Sequence, residues 1–239
     1  MGKKIICVIP ARGGSKRIPN KNLLLLGGKP LIVHSIEHAR QSKLIKRIIV
    51  STDDPEIARI SKKCGAEVLK RPKRISGARA TSESAIKHVI ERLESSGYSP
   101  DLIVFLQCTS PVRNPNDIDN AIKKLYKDKA DSLFSACRND RFFWRRTSDG
   151  VEPINYDYRK RMRDQDHPEE YEENGSIFVF KTEILKKYNN RMGGKIEIYK
   201  MDYWSSFQVD TIEDVRLIDW ILNRGMKSKQ KIVNKGIWS

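Results

Sequence analysis

Lys4-Ile5-Ile6-Cys7-Val8-Ile9 runs directly into Pro10-Ala11-Arg12-Gly13-Gly14-Ser15-Lys16-Arg17-Ile18-Pro19-Asn20-Lys21-Asn22, and this stretch decides the fold. Ile5 to Ile9 form a short apolar run stopped by proline, the pattern of a buried strand. Gly13 and Gly14 allow the following backbone to approach a ligand closely. Arg12, Lys16, Arg17 and Lys21 then set four cations within ten residues. A cationic, glycine-bearing loop at the carboxyl end of a first strand is where doubly wound sheets bind phosphate. It is neither a GxxxxGK[ST] nor a GxGxxG loop.

The same alternation continues outward. Further strands are expected at Arg47–Ser51, Glu67–Leu69, Leu102–Leu106, Ser132–Ala136, Ser176–Phe180 and Ile196–Lys200. Helices are expected at Pro30–Gln41, Pro55–Lys63, Ser82–Ser95, Asn116–Lys127, Thr182–Lys187 and Ile212–Asn223. Ile86, Val89, Ile90 and Leu93 share one helical face. Strands alternating with helices predict an α/β fold with a mostly parallel sheet. Asn139 to Glu173 breaks the rhythm with Phe142-Phe143-Trp144, Tyr156, Tyr158 and the run Arg159-Lys160-Arg161-Met162-Arg163. A segment of that length without regular pattern in a compact domain serves a purpose, as a small subdomain, a lid or an oligomer contact. The expectation is one domain over 1–239 with an insertion at 139–173.

The chain of 239 residues is long enough for a full core. No run approaches the roughly 20 apolar residues of a membrane span, and the basic start is followed by too short an apolar run for a signal peptide. Ile6 stands where a myristoylation signal wants Ser or Thr. Cys7, Cys64, Cys108 and Cys137 are scattered singly, which argues against a zinc site or a disulfide framework. A cytoplasmic protein without nucleic-acid or membrane partners is expected. The formal charge of +16 suits an anionic ligand, although part of it lies in the lysine-rich tail from Asn223 to Ser239.

Three more strand ends carry polar groups. Ser51-Thr52-Asp53-Asp54 sets carboxylates either toward the ligand crevice or as a cap on the next helix. Leu106-Gln107-Cys108-Thr109-Ser110-Pro111-Val112-Arg113 offers an amide and a guanidinium suited to an anion. Cys108 has no partner histidine and reads as a small semi-buried residue. Phe207-Gln208-Val209-Asp210-Thr211-Ile212-Glu213-Asp214 enters a helix, with Asp210 suited to hold Mg²⁺ against phosphate. Thr211 and Asp214 suggest a helix-start cap, although a full capping box would carry Glu or Gln in the second place.

In this order and spacing the motifs resemble the acylneuraminate (CMP-sialic acid) cytidylyltransferases, from Lys4 to about Leu222. Those carrying the resemblance are IPARGGSKRIPNKN, IIVSTDD, Arg71-Pro72, LQCTSPVR, the pattern from Gln165 to Gly175, and VDTIEDV. It implies a Rossmann-like doubly wound sheet with an inserted dimerisation element that completes the partner's site. It also implies displacement at the α-phosphate of CTP by the anomeric hydroxyl of a nine-carbon acidic sugar, with Mg²⁺ as cofactor. Arg12, Ser15, Lys16 and Lys21 would then contact the triphosphate, and Asn22, Arg71 and Ser82 the cytidine. Gln107 would address the acyl sugar. Arg161, Arg163, Tyr171 and Asn174 would form its carboxylate side, partly across a homodimer. Arg12, Lys21 and Asp210 would be catalytic, with Asp210 the metal ligand.

The chain departs from the family pattern at Gln208, which stands where a DxD motif has its first acid, at Asp164 where an arginine is expected, and at Arg79 where Asp is common. Competing readings are a 3-deoxy-manno-octulosonate cytidylyltransferase, a sugar-1-phosphate nucleotidyltransferase, a nucleic-acid-binding protein and a non-catalytic nucleotide binder.

Overall fold

In the first strand, β1 (Ile5–Pro10), Ile5, Cys7 and Ile9 enter one apolar cluster while Ile6 and Val8 enter another on the opposite face. A strand buried on both sides has no polar face, which is why it reads as an unbroken apolar run. The structure is a computed structural model and describes residues 2–15, 17–77, 79–163, 166 and 168–225.

A small hairpin, β2 (Leu25–Leu26) with β3 (Lys29–Pro30), leads into α1 (Leu31–Gln41). Then come β4 (Arg47–Thr52), α2 (Pro55–Lys63), β5 (Glu67–Lys70), α3 (Ser82–Glu94), β6 (Leu102–Leu106) and α4 (Asp117–Lys127). The second half holds β7 (Ser132–Asn139), β8 (Trp144–Thr147), β9 (Gly150–Pro153), β10 (Glu170–Lys181), α5 (Thr182–Tyr188), β11 (Ile196–Met201) and α6 (Ile212–Trp220). Every strand and helix expected from the sequence is present, most of them with ends moved by a residue or two.

The central sheet has seven strands in the order β11-β7-β10-β6-β1-β4-β5. All its pairings are parallel except those of β10, which runs antiparallel to both β6 and β7. α1, α2, α4 and α6 cover one face through Leu31, Ile36, Ile57, Ile122, Leu125 and Ile218. α3 and α5 cover the other through Ile86, Val89, Ile90, Leu93 and Leu185. This two-sided cover is the doubly wound arrangement, and it turns the carboxyl ends of β1, β4 and β6 toward one crevice.

The segment expected as an irregular insertion is more regular than its sequence suggests. β7 runs on to Asn139 and β10 begins at Glu170, so both ends of the segment are the long central strands themselves. Between them β8 and β9 pair as a hairpin outside the sheet. Phe142 packs on Tyr156, and Trp144 on Tyr156 and Tyr158. Short strands with exposed charges on both sides carry no alternation, so the pattern hid them.

Candidate active site

The loop after β1 is held from three sides. Ala11 donates its backbone N–H to Ser51 O at 2.9 Å. Gly13 donates to Asp53 Oδ1 at 3.1 Å. A Cβ on Gly13 would meet Asp54 Oδ2 at 2.7 Å, so the loop sits on that carboxylate because residue 13 has no side chain. The two acids therefore divide the roles that the sequence left open. Asp54 caps α2 by accepting from Glu56 and Ile57, and Asp53 ties down the loop.

A cavity of about 260 Å³ opens at the carboxyl ends of β1 and β6. Of the residues expected to bind ligand, Arg12, Ser15, Lys21, Asn22, Arg71, Ser82 and Gln107 line it. Lys16, expected on the triphosphate, lies outside the described residues, as do Asp164, Gln165 and the tail beyond residue 225. Pro10, Ala80, Thr81, Phe105, Cys108 and Thr109 also line the cavity and were not foreseen. Thr81 carried a signal: it caps α3 by accepting from the Ser84 N–H, and a hydroxyl before a helical run marks such a start. The amino end of α3 thus faces the cavity, and its unpaired N–H groups favour a negative ligand.

The cations are set individually. Lys21 is buried in the short helical turn Lys21–Leu23, and its Nζ donates to Val209 O at 2.6 Å and to Asp210 Oδ1 at 3.0 Å. Arg12 Nη1 donates to Gly77 O at 2.9 Å, closing the loop after Arg71 over the cavity. Asn22 Nδ2 donates to Arg12 O at 3.0 Å. Arg71 is anchored through Nη2 to Ser51 O at 2.6 Å. Burial pulls its guanidinium below the ordinary value, Asp53 partly opposing and Arg12 adding to the shift. Such a group gains from an anionic neighbour that restores its lost solvation.

Asp210 stands at the mouth of this group, its side chain 46% exposed and 3.9 Å from Arg17. Its N–H donates to Asp214 Oδ2 at 2.9 Å, and that oxygen also accepts from Thr211 N at 2.7 Å. Thr211 and Asp214 form a complete capping box at α6, so Asp serves where Glu or Gln was expected. Among the described residues no three His, Cys, Asp or Glu side chains gather around a common point. The donor set is one carboxylate, which fits Mg²⁺ only in the mode that completes its shell with phosphate oxygens and water.

Two of the polar residues singled out in the sequence are engaged by the protein itself. Arg113 is buried and unavailable to a ligand, since it donates to Gln107 O at 3.0 Å, Ser176 O at 2.9 Å and Ser35 Oγ at 3.3 Å. Asn174, expected on the sugar side, is fully buried in the single chain: it accepts from Ser135 Oγ at 2.6 Å and from Ser176 N at 3.2 Å, and donates to Ser205 O at 3.0 Å. Both are polar residues that the β10 bulge between Glu173 and Phe178 requires for its loose backbone groups. Arg161, Arg163 and Tyr171 do not line the cavity of the single chain. Arg161 lies over the Phe142 ring at 4.6 Å, Arg163 pairs with Asp166 at 2.7 Å, and the Lys200 ammonium covers the Tyr171 ring at 4.9 Å. Cys108 is buried, and burial pushes its thiol up to about 12, which rules it out as a nucleophile near neutral pH. All four cysteines are free thiols, and no helix among the described residues is long and apolar enough to cross a membrane.

The chain is 35% identical over 222 residues to N-acylneuraminate cytidylyltransferase A of Danio rerio, covering 91% of this chain and 49% of that protein. It is 32% identical over 230 residues to post-translational flagellin modification protein B of Campylobacter coli, covering 92% and 95%. Over 134 residues it is 41% identical to a pseudaminic acid cytidylyltransferase of Campylobacter jejuni, covering 56% and 58%. The chain thus spans about half the length of the Danio relative and nearly all of the Campylobacter coli one. In fold it is similar to CMP:2-keto-3-deoxy-manno-octonic acid synthetase complexed with CTP (TM-score 0.70, 19% identity, 93% of this chain and 100% of that). A 4-diphosphocytidyl-2C-methyl-D-erythritol synthase matches equally well in fold (TM-score 0.70, 11% identity, 93% and 99%). The cytidylyltransferase family profile matches residues 6–233, and with the cationic loop, the crevice and Asp210 in one place the chain belongs to that family.

Proposed function

We propose that this chain transfers the cytidylyl group of CTP to an acylneuraminate-type nonulosonic acid, releasing pyrophosphate. The observation that carries this reading is that one cavity unites Arg12, Ser15, Lys21, Asn22, Arg71 and Ser82 with Gln107. Arg12, Ser15 and Lys21 suit a triphosphate, and a neutral amide at the far strand end suits an acylated sugar. The anomeric hydroxyl oxygen forms a bond to the α-phosphorus, the bond to the pyrophosphate oxygen breaks, and the hydroxyl proton leaves to solvent. Arg12 and Lys21 stabilise charge growing on the departing pyrophosphate, each contact worth on the order of 3 kcal/mol. Mg²⁺, held by Asp210 and phosphate oxygens, would neutralise part of the same charge.

The exposed aromatics Phe143, Trp144 and Tyr158 in and beside the hairpin, with the hairpin's Val151, suit burial against a second copy. In that homodimer the insertion at 139–173 carries Arg161, Arg163 and Tyr171 to the sugar carboxylate of the partner's site. CTP as substrate favours a cytoplasmic setting. The test is pyrophosphate release from CTP, Mg²⁺ and a panel of nonulosonic acids, with and without EDTA. Metal-dependent release with one acid supports the reading. Absence of CTP binding by calorimetry overturns it.

A further inference from the structure

We propose that Gln208 is a specificity residue, which together with Gln107 forms a pair of carboxamides that grips the acylamino substituent of the sugar. The proposal rests on the function set out above. Its starting point is Gly175, whose φ of +61° lies in the left-handed region. A Cβ there would collide with Gln107 Oε1 and meet Gln208 Oε1 and Nε2 at 3.1 and 3.3 Å. Both side-chain amides therefore converge on the ground left open by one glycine.

Neither amide is used by the protein: among the described residues no hydrogen bond reaches the side chain of Gln107 or Gln208. Both residues are half-buried. A half-buried carboxamide without partners loses hydration and recovers it when a ligand supplies the complementary groups. Each offers a donor and an acceptor, and an acylamino group presents one N–H and one carbonyl oxygen, so two carboxamides satisfy both together. A hydroxyl at the same carbon has no carbonyl to match.

The backbone around Gln208 is fixed. Val209 is fully buried, donates its N–H to Thr109 O at 2.7 Å and accepts Lys21 Nζ at 2.6 Å. Gln208 is thereby held against the strand end that carries Gln107, between the nucleotide cations and β10. A carboxylate at 208 would keep an acceptor and lose the donor that an acyl oxygen needs.

The experiment compares Gln208→Ala and the near-isosteric Gln208→Glu with the unaltered protein on two substrates. One is an N-acetylated nonulosonic acid, the other its counterpart with a hydroxyl at the same carbon. In both variants KM for the acylated acid should rise about tenfold, which corresponds to about 1.4 kcal/mol. KM for the hydroxyl acid should change less than about twofold, given the same scale. The CTP dissociation constant from calorimetry should not move. Equal shifts on both acids, or a fall in kcat alone, overturn the proposal while leaving the cytidylyltransferase reading intact. An unaltered protein that binds CTP and turns over no nonulosonic acid removes that reading and the proposal with it.

Discussion

Replacing Gly175 by alanine separates a backbone cost from a functional one. The left-handed conformation at φ +61° costs a residue with a Cβ about 1–2 kcal/mol. The collision with Gln107 Oε1 adds little to stability, because that atom is the far end of a flexible chain and can swing aside. A swing, however, takes the amide from its place in the cavity. Gly175→Ala should therefore lower stability by about 1–2 kcal/mol in urea titration, or roughly 2–8 °C in Tm for a chain of this size. It should raise KM for the sugar about tenfold, the loss of one hydrogen-bonded contact, with CTP affinity unchanged. Gly97→Ala is the control, since φ is +80° and nothing lies within 4 Å of its Cβ. That variant should show the same stability loss with the sugar KM untouched. Equal sugar KM in both variants would refute the argument that Gly175 makes room for Gln107, and undiminished stability in both would refute the backbone term.

Two further outcomes follow from buried groups. Arg113→Met removes the guanidinium donor from the Ser176 carbonyl, while the Gln107 carbonyl keeps the Ser110 N–H at 3.3 Å, so stability from urea titration should fall by about 1–3 kcal/mol for the one carbonyl left without that donor. His38 is held well below its ordinary value, at about 3, by burial first and then by the charge of Arg113. The unfolded chain then binds a proton below pH 6.5 that the folded chain refuses. His38 alone should lower stability by about 1.4 kcal/mol between about pH 7.5 and 5.5; His34 and His88, which burial also holds low, add to the fall, so His38→Gln should reduce the slope by its own share without abolishing it.

The order of strands and helices was legible because burial on both sheet faces leaves apolar runs and amphipathic stripes in the chain itself. Ile5 to Ile9 and the Ile86–Leu93 face carry that information locally. The cationic loop was legible for a similar reason, since glycine and arginine at a strand end answer to local backbone geometry and charge. The roles of Arg113, Asn174, Asp53 and Asp54 were not. A polar residue near a strand end has the same letter whether it meets ligand or satisfies a carbonyl from another strand.

The layered α/β fold, the place of the cationic loop and seven of the thirteen cavity-lining residues could be read along the chain. Hydrophobic period and turn chemistry act between near neighbours and are written along the chain. Only the tertiary structure decided that Arg113 and Asn174 serve the β10 bulge, that Asp53 anchors the loop, and that Gln107 and Gln208 meet over Gly175. Residues 107, 175 and 208 are brought together by strand order, and no local pattern along the chain encodes a contact made across such distances.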